Sequence, residues 1–335
     1  MADRDSFSQG ISWGSVMRRE RKAAGFAEAL VVGGGNRRLE AIEALVDWAA
    51  VERLLAAVYA SPTGRTSYPV LGLFKAVLLG AWHGLGDPEL EAALSDRLSF
   101  RRFCGLALDE AVPDHSTLWR FRDQLRRLNL AEAAFAEVNR QLEGKGVVVK
   151  AGTLVDATLI PAAAAEPPKQ KGGGRSAADP DAAWAKRAKG GAHFGYKLHA
   201  GVDAHCGIVR RAKLTPANVN EITVGPALVA GDEASVWADK AYVGPTMAQA
   251  ITAAGAKNRV QRRNQKNRRL RPSETRRNVL IGRVRGRIEG VFGALKRSYG
   301  LARLRYMGLA RNATGVLLTL TGWNLARAAD RWRPA

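Results

Sequence analysis

Three residues in the last third of the chain have the types and the spacing to do chemistry together: Arg285, Glu289 and Lys296. Taken as a helix at about 100° per residue, Gly282 to Tyr299 places Val284, Ile288, Val291, Phe292, Leu295 and Tyr299 in one apolar stripe. With Ile288 as origin, Arg285 falls at about 60°, Lys296 at about 80° and Glu289 at about 100°. All three therefore border the stripe, where a side chain is half-buried and still reaches a ligand. A lone carboxylate among so many cations is either an ion-pair partner or a metal ligand acting on a phosphate. Alone, Arg285 and Glu289 read as a surface i, i+4 pair worth about 0.3 kcal/mol, so the metal reading needs further acids. Gly282, Gly286, Gly290 and Gly293 gather on the adjoining flank, each costing a helix roughly 1 kcal/mol against Ala. Such a flank admits another backbone at close range, a packed helix or a nucleic-acid strand.

Two further acids qualify by placement. Asp156 lies mid-strand between Leu154-Val155 and Leu159-Ile160, an expensive position for a charge unless something neutralises it. Asp239 ends the short strand Val236-Trp237-Ala238, where sheet side chains open onto a crevice. Magnesium takes oxygen ligands and keeps waters, so a phosphoryl-transfer site needs a few carboxylates converging from rigid elements. Each acid also has an ordinary reading. Asp156 can pair with Lys197 or Arg210, and Asp239 can cap a helix or pair with Lys240. His199, Asp203 and His205 are weaker site candidates, while His83 and His115 read as structural.

The net charge of +21 is concentrated. Residues 257–311 carry 18 Lys and Arg against Glu274 and Glu289, a net of +16 in 55 residues, whereas residues 1–150 carry 20 against 19. A block of that kind points to a polyanion, most simply nucleic acid held through its phosphates. Cys104 and Cys206 stand far apart without CxxC spacing, which excludes a disulfide framework or zinc knuckle and fits packed thiols in a reducing cytoplasm. The longest apolar run, Val70 to Leu79, is broken by Lys75 and too short to span a bilayer, and no apolar signal segment opens the chain. The expected location is cytoplasmic, without a membrane partner.

The elements that must position these groups follow from periodicity. Residues 1–36 read as a loose arm and 37–143 as an all-α domain. Its helices are expected at Arg38–Tyr59, Val70–Gly84, Pro88–Leu98 with Asp87 as N-cap, Asp114 or Ser116 to Leu128, and Leu130–Glu143. Residues 144–329 read as an α/β domain with a mixed sheet. Strands are expected at Val147–Ile160, with a hairpin around Ala151-Gly152, and at Phe194–Asp203, Ile208–Leu214, Ser235–Ala238 and, on an edge, Asn258–Gln261. Helices are expected at Glu221–Ala230, Thr246–Ala254 and Asn312–Ala329; 161–191 reads as a flexible loop and 262–277 as a charged one.

At this level of detail the chain resembles a known family. Asp156-Ala157-Thr158, Gly195-Tyr196-Lys197-Leu198-His199, Pro216-Ala217-Asn218, Asp239-Lys240-Ala241-Tyr242 and Arg285-x3-Glu289-x6-Lys296 look like the ordered motifs of DDE transposases of bacterial insertion sequences, nearest to the insertion sequence five branch. Tyr68-Pro69, Leu98 to Phe103 and Pro113 to Thr117 resemble that family's N-terminal domain. The resemblance implies a ribonuclease H-like catalytic core in which Asp156, Asp239 and Glu289 are metal ligands for two Mg2+ ions, with Mn2+ able to substitute. It implies Arg285 and Lys296 as contacts to DNA phosphates, with Lys197 and Trp237 as secondary contacts at the cleaved end. The related pattern has a Tyr where this chain has Gly282, which removes any Tyr contribution there. The basic loop with Arg262, Arg263, Arg268 and Arg269 would clamp DNA. Asp87 to Arg127 reads either as a helix-turn-helix with Arg120, Arg122, Arg126 and Arg127 facing phosphate or as a plain helical bundle.

The expected function is binding of the element's terminal inverted repeats, followed by metal-dependent strand cleavage and transfer into target DNA by a homodimer or higher assembly in the bacterial nucleoid. Two alternatives stand beside it: a non-catalytic DNA-binding repressor on the same fold, and a ribonuclease H-like nuclease or resolvase.

Overall fold

Asp47 decides how the first apolar stretch folds. Its side chain accepts hydrogen bonds from the backbone N–H groups of Ala49 and Ala50, an N-cap that starts a new helix. The single helix expected over Arg38–Tyr59 is therefore two, α1 (Arg37–Leu45) and α2 (Trp48–Leu55), followed by a 3-10 turn at Ala56–Tyr59. The computed structural model describes residues 36–59, 67–168, 174, 176–186, 191–264 and 268–332. The arm expected over 1–36 lies outside the described residues except for Asn36, as does part of the loop expected over 161–191.

The buried helix α3 (Val70–His83) is the centre of the helical part, and α4 (Asp87–Asp96), α5 (Leu98–Cys104) and α6 (His115–Arg127) pack on it. Gly86, not Asp87, caps α4: its N–H donates to Glu89 Oε2 at 2.7 Å. Helix α7 (Leu130–Gly144) leads toward the sheet.

Six strands form one mixed sheet: β1 (Thr153–Pro161), β2 (Ala183–Lys186), β3 (Ala192–Asp203), β4 (Val209–Pro216), β5 (Ser235–Ala238) and β6 (Lys257–Val260). Strand β3 pairs antiparallel with β1, β2 and β4, whereas β1–β5 and β5–β6 are parallel. Strand β1 begins at Thr153, six residues later than expected. Lys150 adopts φ 58° and its carbonyl accepts from Ala234, so residues 147–152 run as a connection and no hairpin forms around Ala151-Gly152. Strand β2 lies inside the segment read as a loop. Pro226, which lacks an N–H to donate, stands where the helix expected over Glu221–Ala230 gives way: α8 (Glu221–Val224) passes into a 3-10 turn, Gly225–Leu228.

Helices cover both faces of the sheet. On one, α10 (Pro272–Ser298) and α11 (Leu309–Ala329) bring Ile288, Val291, Phe292, Leu295 and Leu320 against Leu154, Ile160, Leu198 and Val202. On the other, Val224, Leu228, Tyr242, Met247 and Ile251 from the α8 region through α9 (Pro245–Ala253) cover Val155, Val236, Ala238 and Val260. Each fully buried aliphatic side chain contributes roughly 1.5–3 kcal/mol, which holds the strands rigid beneath whatever they carry. Helix α11 serves both parts of the chain: Leu318, Leu325, Ala326 and Ala328 pack into the core of the N-terminal helices. Asn324 fastens this junction, accepting from Val209 N–H at 2.8 Å and donating to Val209 O and to Asn139 Oδ1 on α7.

Candidate active site

Asp156 and Asp239 stand at neighbouring positions of the sheet. Strands β1 and β5 run parallel with Val155 opposite Ala238. Asp239 keeps an extended backbone (φ −81°, ψ 178°), so the next position sets Asp156 beside it on a strand about 4.8 Å away. Side chains alternate between faces. Val155 and Ala238 point into the α9-side core, and both acids therefore point to the α10 side. Asp239 does cap the turn Lys240–Tyr242, its Oδ1 accepting from Ala241 N–H at 2.8 Å. The cap reading and the site reading are compatible, because one oxygen suffices for the turn.

Helix α10 crosses above these strand ends and supplies the other two groups. Arg285 Nη1 donates to Asp156 Oδ2 at 2.5 Å and its Nη2 donates to Glu289 Oε1 at 3.2 Å. One guanidinium thus ties a strand acid to a helix acid. Asp156 Oδ1 accepts from the Ala157 N–H at 2.9 Å. Burial pushes the Asp156 carboxyl up to about 6; Arg285 and the Ala157 N–H oppose the shift, while the charges of Asp239 and Glu289 add to it. All three acids therefore share one electrostatic field, and Arg285 is the cation inside it. Glu289 remains exposed, its side chain 64% accessible, and among the described residues no three His, Cys, Asp or Glu side chains form a closed metal-binding group.

The secondary candidates divide. Trp237 is in register with Leu154 and lies on the same face as the acids, two residues before Asp239, with the Arg259 guanidinium 5.7 Å from its ring centroid. Lys296, three turns along α10 from Arg285, donates to Leu159 O of β1 at 2.8 Å. Lys197, opposite Leu159, falls on the reverse face of the sheet from Asp156, since Leu159 and Asp156 are an odd number of residues apart. There it donates to Glu221 Oε1 at 2.7 Å and to Val219 O at 2.8 Å, and it is not brought to the acids. His199 lies beside it against Thr215, held down at about 4 by burial. Neither Lys197 nor Arg210 pairs with Asp156; Arg210 meets Glu143 and Asp232.

The basic segment is more ordered than its composition implies. Helix α10 starts at Pro272, ten residues before the expected start, because Glu274 accepts from the Arg271 N–H at 2.9 Å and Pro272 occupies the first turn. The region expected as a charged loop over 262–277 is thus helical from 272. The buried Glu274 carboxylate also takes Arg262 and, at 2.7 Å, Arg268. Nothing in the apolar pattern marks Glu274; its signal is that it and Glu289 are the acids of the +16 block. Arg262, Arg263, Arg268, Arg271 and Arg277 line an open groove between α10 and the edge of β6. Burial and the charges of Arg262 and Arg259 lower the pKa of Arg277. Arg269 is exposed next to the groove. Gly286 and Gly290 face open space, with nothing within 4 Å of where a Cβ would stand, so among the described residues no helix packs there.

In the helical part Arg122 is not free to face phosphate: it is half-buried in an ion pair with Asp87. Arg126 and Arg127 pair with Asp123, and Arg120 lies exposed on α6, donating to Ser116.

A helical N-terminal part, a mixed sheet with acids on adjacent strands and a long basic helix laid across them define a class of α/β protein built to act on a polyanion. Comparison with known families agrees. The family described as Transposase DDE domain matches residues 149–325, more than half of the chain, and Transposase domain (DUF772) matches residues 31–124. The chain belongs to the Transposase DDE domain family, and membership implies a metal-dependent enzyme that cleaves DNA. No solved structure matches the chain. Among the described residues no helix is long and apolar enough to cross a membrane.

Proposed function

We propose that this transposase binds the terminal inverted repeats of an insertion sequence of the insertion sequence five family and carries out strand cleavage and strand transfer at one site on a ribonuclease H-like core. Asp156, Asp239 and Glu289 are its metal ligands. The observation that carries this reading is the register of β1 and β5, which sets Asp156 beside Asp239 directly under the Arg285–Glu289 edge of α10. The donor set suits a hard divalent cation: carboxylate oxygens from rigid elements, in a place where a cationic group, the Arg285 guanidinium, already offsets their charge. When bound there, two Mg2+ ions, or Mn2+ in their place, supply Lewis acidity to the attacking and leaving oxygens of an in-line displacement.

The chain's own residues do the rest. Asp156 and Asp239 are held by sheet register and by the Asp239 turn, so their oxygens do not have to be ordered during the reaction. Glu289 reaches them by leaving an exposed contact worth about 0–1 kcal/mol. Arg285 and Lys296 hold the phosphodiester, Trp237 packs against the cleaved end, and Arg262, Arg263, Arg268 and Arg269 track the backbone beside the groove, with Arg120 and Arg126 contributing from α6. Water cleaves the phosphodiester and frees a 3′-hydroxyl, which then attacks target DNA, one phosphodiester being exchanged for another. Two ends brought together require at least a homodimer.

The test is incubation of the purified protein with labelled element ends and Mg2+ or Mn2+, comparing wild type with Glu289→Gln and Asp156→Ala. Nicking followed by joined product in wild type, both lost in the variants, is expected. Equal nicking by wild type and Glu289→Gln removes Glu289 from the chemistry. Cleavage of branched substrates without joining indicates a nuclease, and sequence-specific binding without any cutting indicates a repressor.

A further inference from the structure

A trail of cations leaves the acids along β1. Lys296 sits at Leu159 O, and Arg303 donates to Ala162 O and Ala163 O at 2.9 Å each. Beyond Arg303 the connection between α10 and α11 carries Arg305, whose guanidinium donates to Gly84 O of the N-terminal helices. A cavity lined by Arg122, Arg303, Arg305, Tyr306 and Gly315 follows. It shares Arg122, Tyr306 and Gly315 with a shallow open cleft between α6 and α11, also walled by Trp119, Asp123, Arg126, Arg311 and Thr314. Trp119 is 50% exposed, an unusual place for the largest apolar side chain. Arg120, Arg127 and Arg311 are exposed around it, and Met307 adds apolar surface nearby. The neighbouring acids are engaged: Asp123 with Arg126 and Arg127, and Asp181 with the Leu309 N–H.

We infer that duplex DNA on one side of the scissile phosphate lies along this trail and that Trp119 and Arg311 form its far contact, the indole packing on sugar or base and the guanidinium on phosphate. The inference rests on the DNA-cleaving reading of the Asp156 site, which sets where the duplex starts. Charge complementarity selects the partner: exposed Arg side chains interleaved with an exposed aromatic ring match a phosphate backbone with its apolar sugars and bases. Length follows from the strand. From Asp156 to Ala163 is at most about 23 Å at about 3.3 Å per residue, or roughly 7 base pairs at about 3.4 Å each, and Trp119 lies beyond. Arm length on that side is therefore the variable that reports the contact, with a scale of several base pairs.

The experiment measures affinity of the full chain for duplexes carrying the cleavage position, lengthened in steps on one side at a time, in Ca2+ to suppress cutting. For wild type we expect an affinity gain of about tenfold as one arm passes roughly 7 base pairs, with no such step on the other arm. Trp119→Ala and Arg311→Gln each reduce the ratio of long-arm to short-arm affinity. Arg311→Gln also lowers the salt dependence of long-arm binding by about one unit. An unchanged ratio in both variants overturns the inference, and so does a Trp119→Ala variant that loses self-association while keeping the ratio, which would make the patch a protein interface. Failure of wild type to nick the same duplexes in a parallel incubation with Mg2+ or Mn2+ would instead defeat the reading of the Asp156 site, so the two outcomes are separately visible.

Discussion

The guanidinium of Arg285 and the carboxylate of Asp156 meet at 2.5 Å across the interface between α10 and β1. The contact joins residues 129 positions apart in sequence, and it occupies the Asp156 oxygen that is not already bonded to its own chain. On the proposed reading of the site, Arg285 competes with a divalent cation for Asp156, and a DNA phosphate competes with Asp156 for Arg285.

Arg285→Ala should raise the affinity of DNA-free protein for Mn2+, read by the loss of the free-ion signal in electron paramagnetic resonance. A tenfold effect is a conservative expectation, since unit charges 4 Å apart exchange about 4 kcal/mol at an effective dielectric of 20. The same variant should bind element ends more weakly. Unchanged Mn2+ affinity would show that Arg285 and the metal do not share Asp156.

Asp156→Asn and Asp239→Asn should fold with wild-type circular dichroism yet lose metal-dependent nicking by roughly 10²-fold or more, the scale for removing a group that stabilises developing charge. Retained nicking in the Asp239 variant would break the pairing that the β1–β5 register builds.

Asn324→Ala should destabilise the protein by about 2–3 kcal/mol, because it strands buried groups at Val209 and Asn139 whose lost bonds each cost of order 1–3 kcal/mol. Urea unfolding measures this. A shift below half a kcal/mol would mean that the junction of α7, β4 and α11 is held by apolar packing alone.

Glu274 makes the start of α10 sensitive to acid. The Arg271 N–H, Arg268 and Arg262 hold its carboxyl at about 2, against an ordinary value of 4.5. A depressed acid stabilises fully above its unfolded value, and that stabilisation declines as pH falls from about 4.5 and is gone below about 2. The stability difference between wild type and Glu274→Gln should therefore be constant near neutral pH and shrink over that window. Thermal melts of both proteins at stepped pH would show it, and a difference that stays constant down to pH 2 would contradict it.

Much of the candidate site is legible in the sequence because its signals are local. A carboxylate inside an apolar strand run, another at a strand end and a third on the polar border of an amphipathic helix are visible at Asp156, Asp239 and Glu289 from residue type and spacing. The helical and strand periods placed α3, α6, α7, β3, β5 and α11 within a few residues. The structure departs from the periodic reading where a single residue overrides the period. Asp47 splits a continuous helical pattern, Lys150 turns the chain before β1, and Glu274 extends α10 into a stretch whose charge resembled a loop. Lys197 illustrates a different limit, since its motif was readable but the face it occupies depends on register.

Residue type and spacing alone thus determined which groups were available: three acids, a helix edge with Arg285 and Lys296, and a block of net +16 charge. Tertiary structure decided which of them meet. Only the parallel pairing of β1 with β5 puts Asp156 next to Asp239, and only the passage of α10 over those strands inserts Arg285 between Asp156 and Glu289. The reason is physical: propensity and periodicity act over a few residues, whereas register and helix docking are set by the burial of whole faces, and charges separated by more than a hundred residues interact only after those faces have closed.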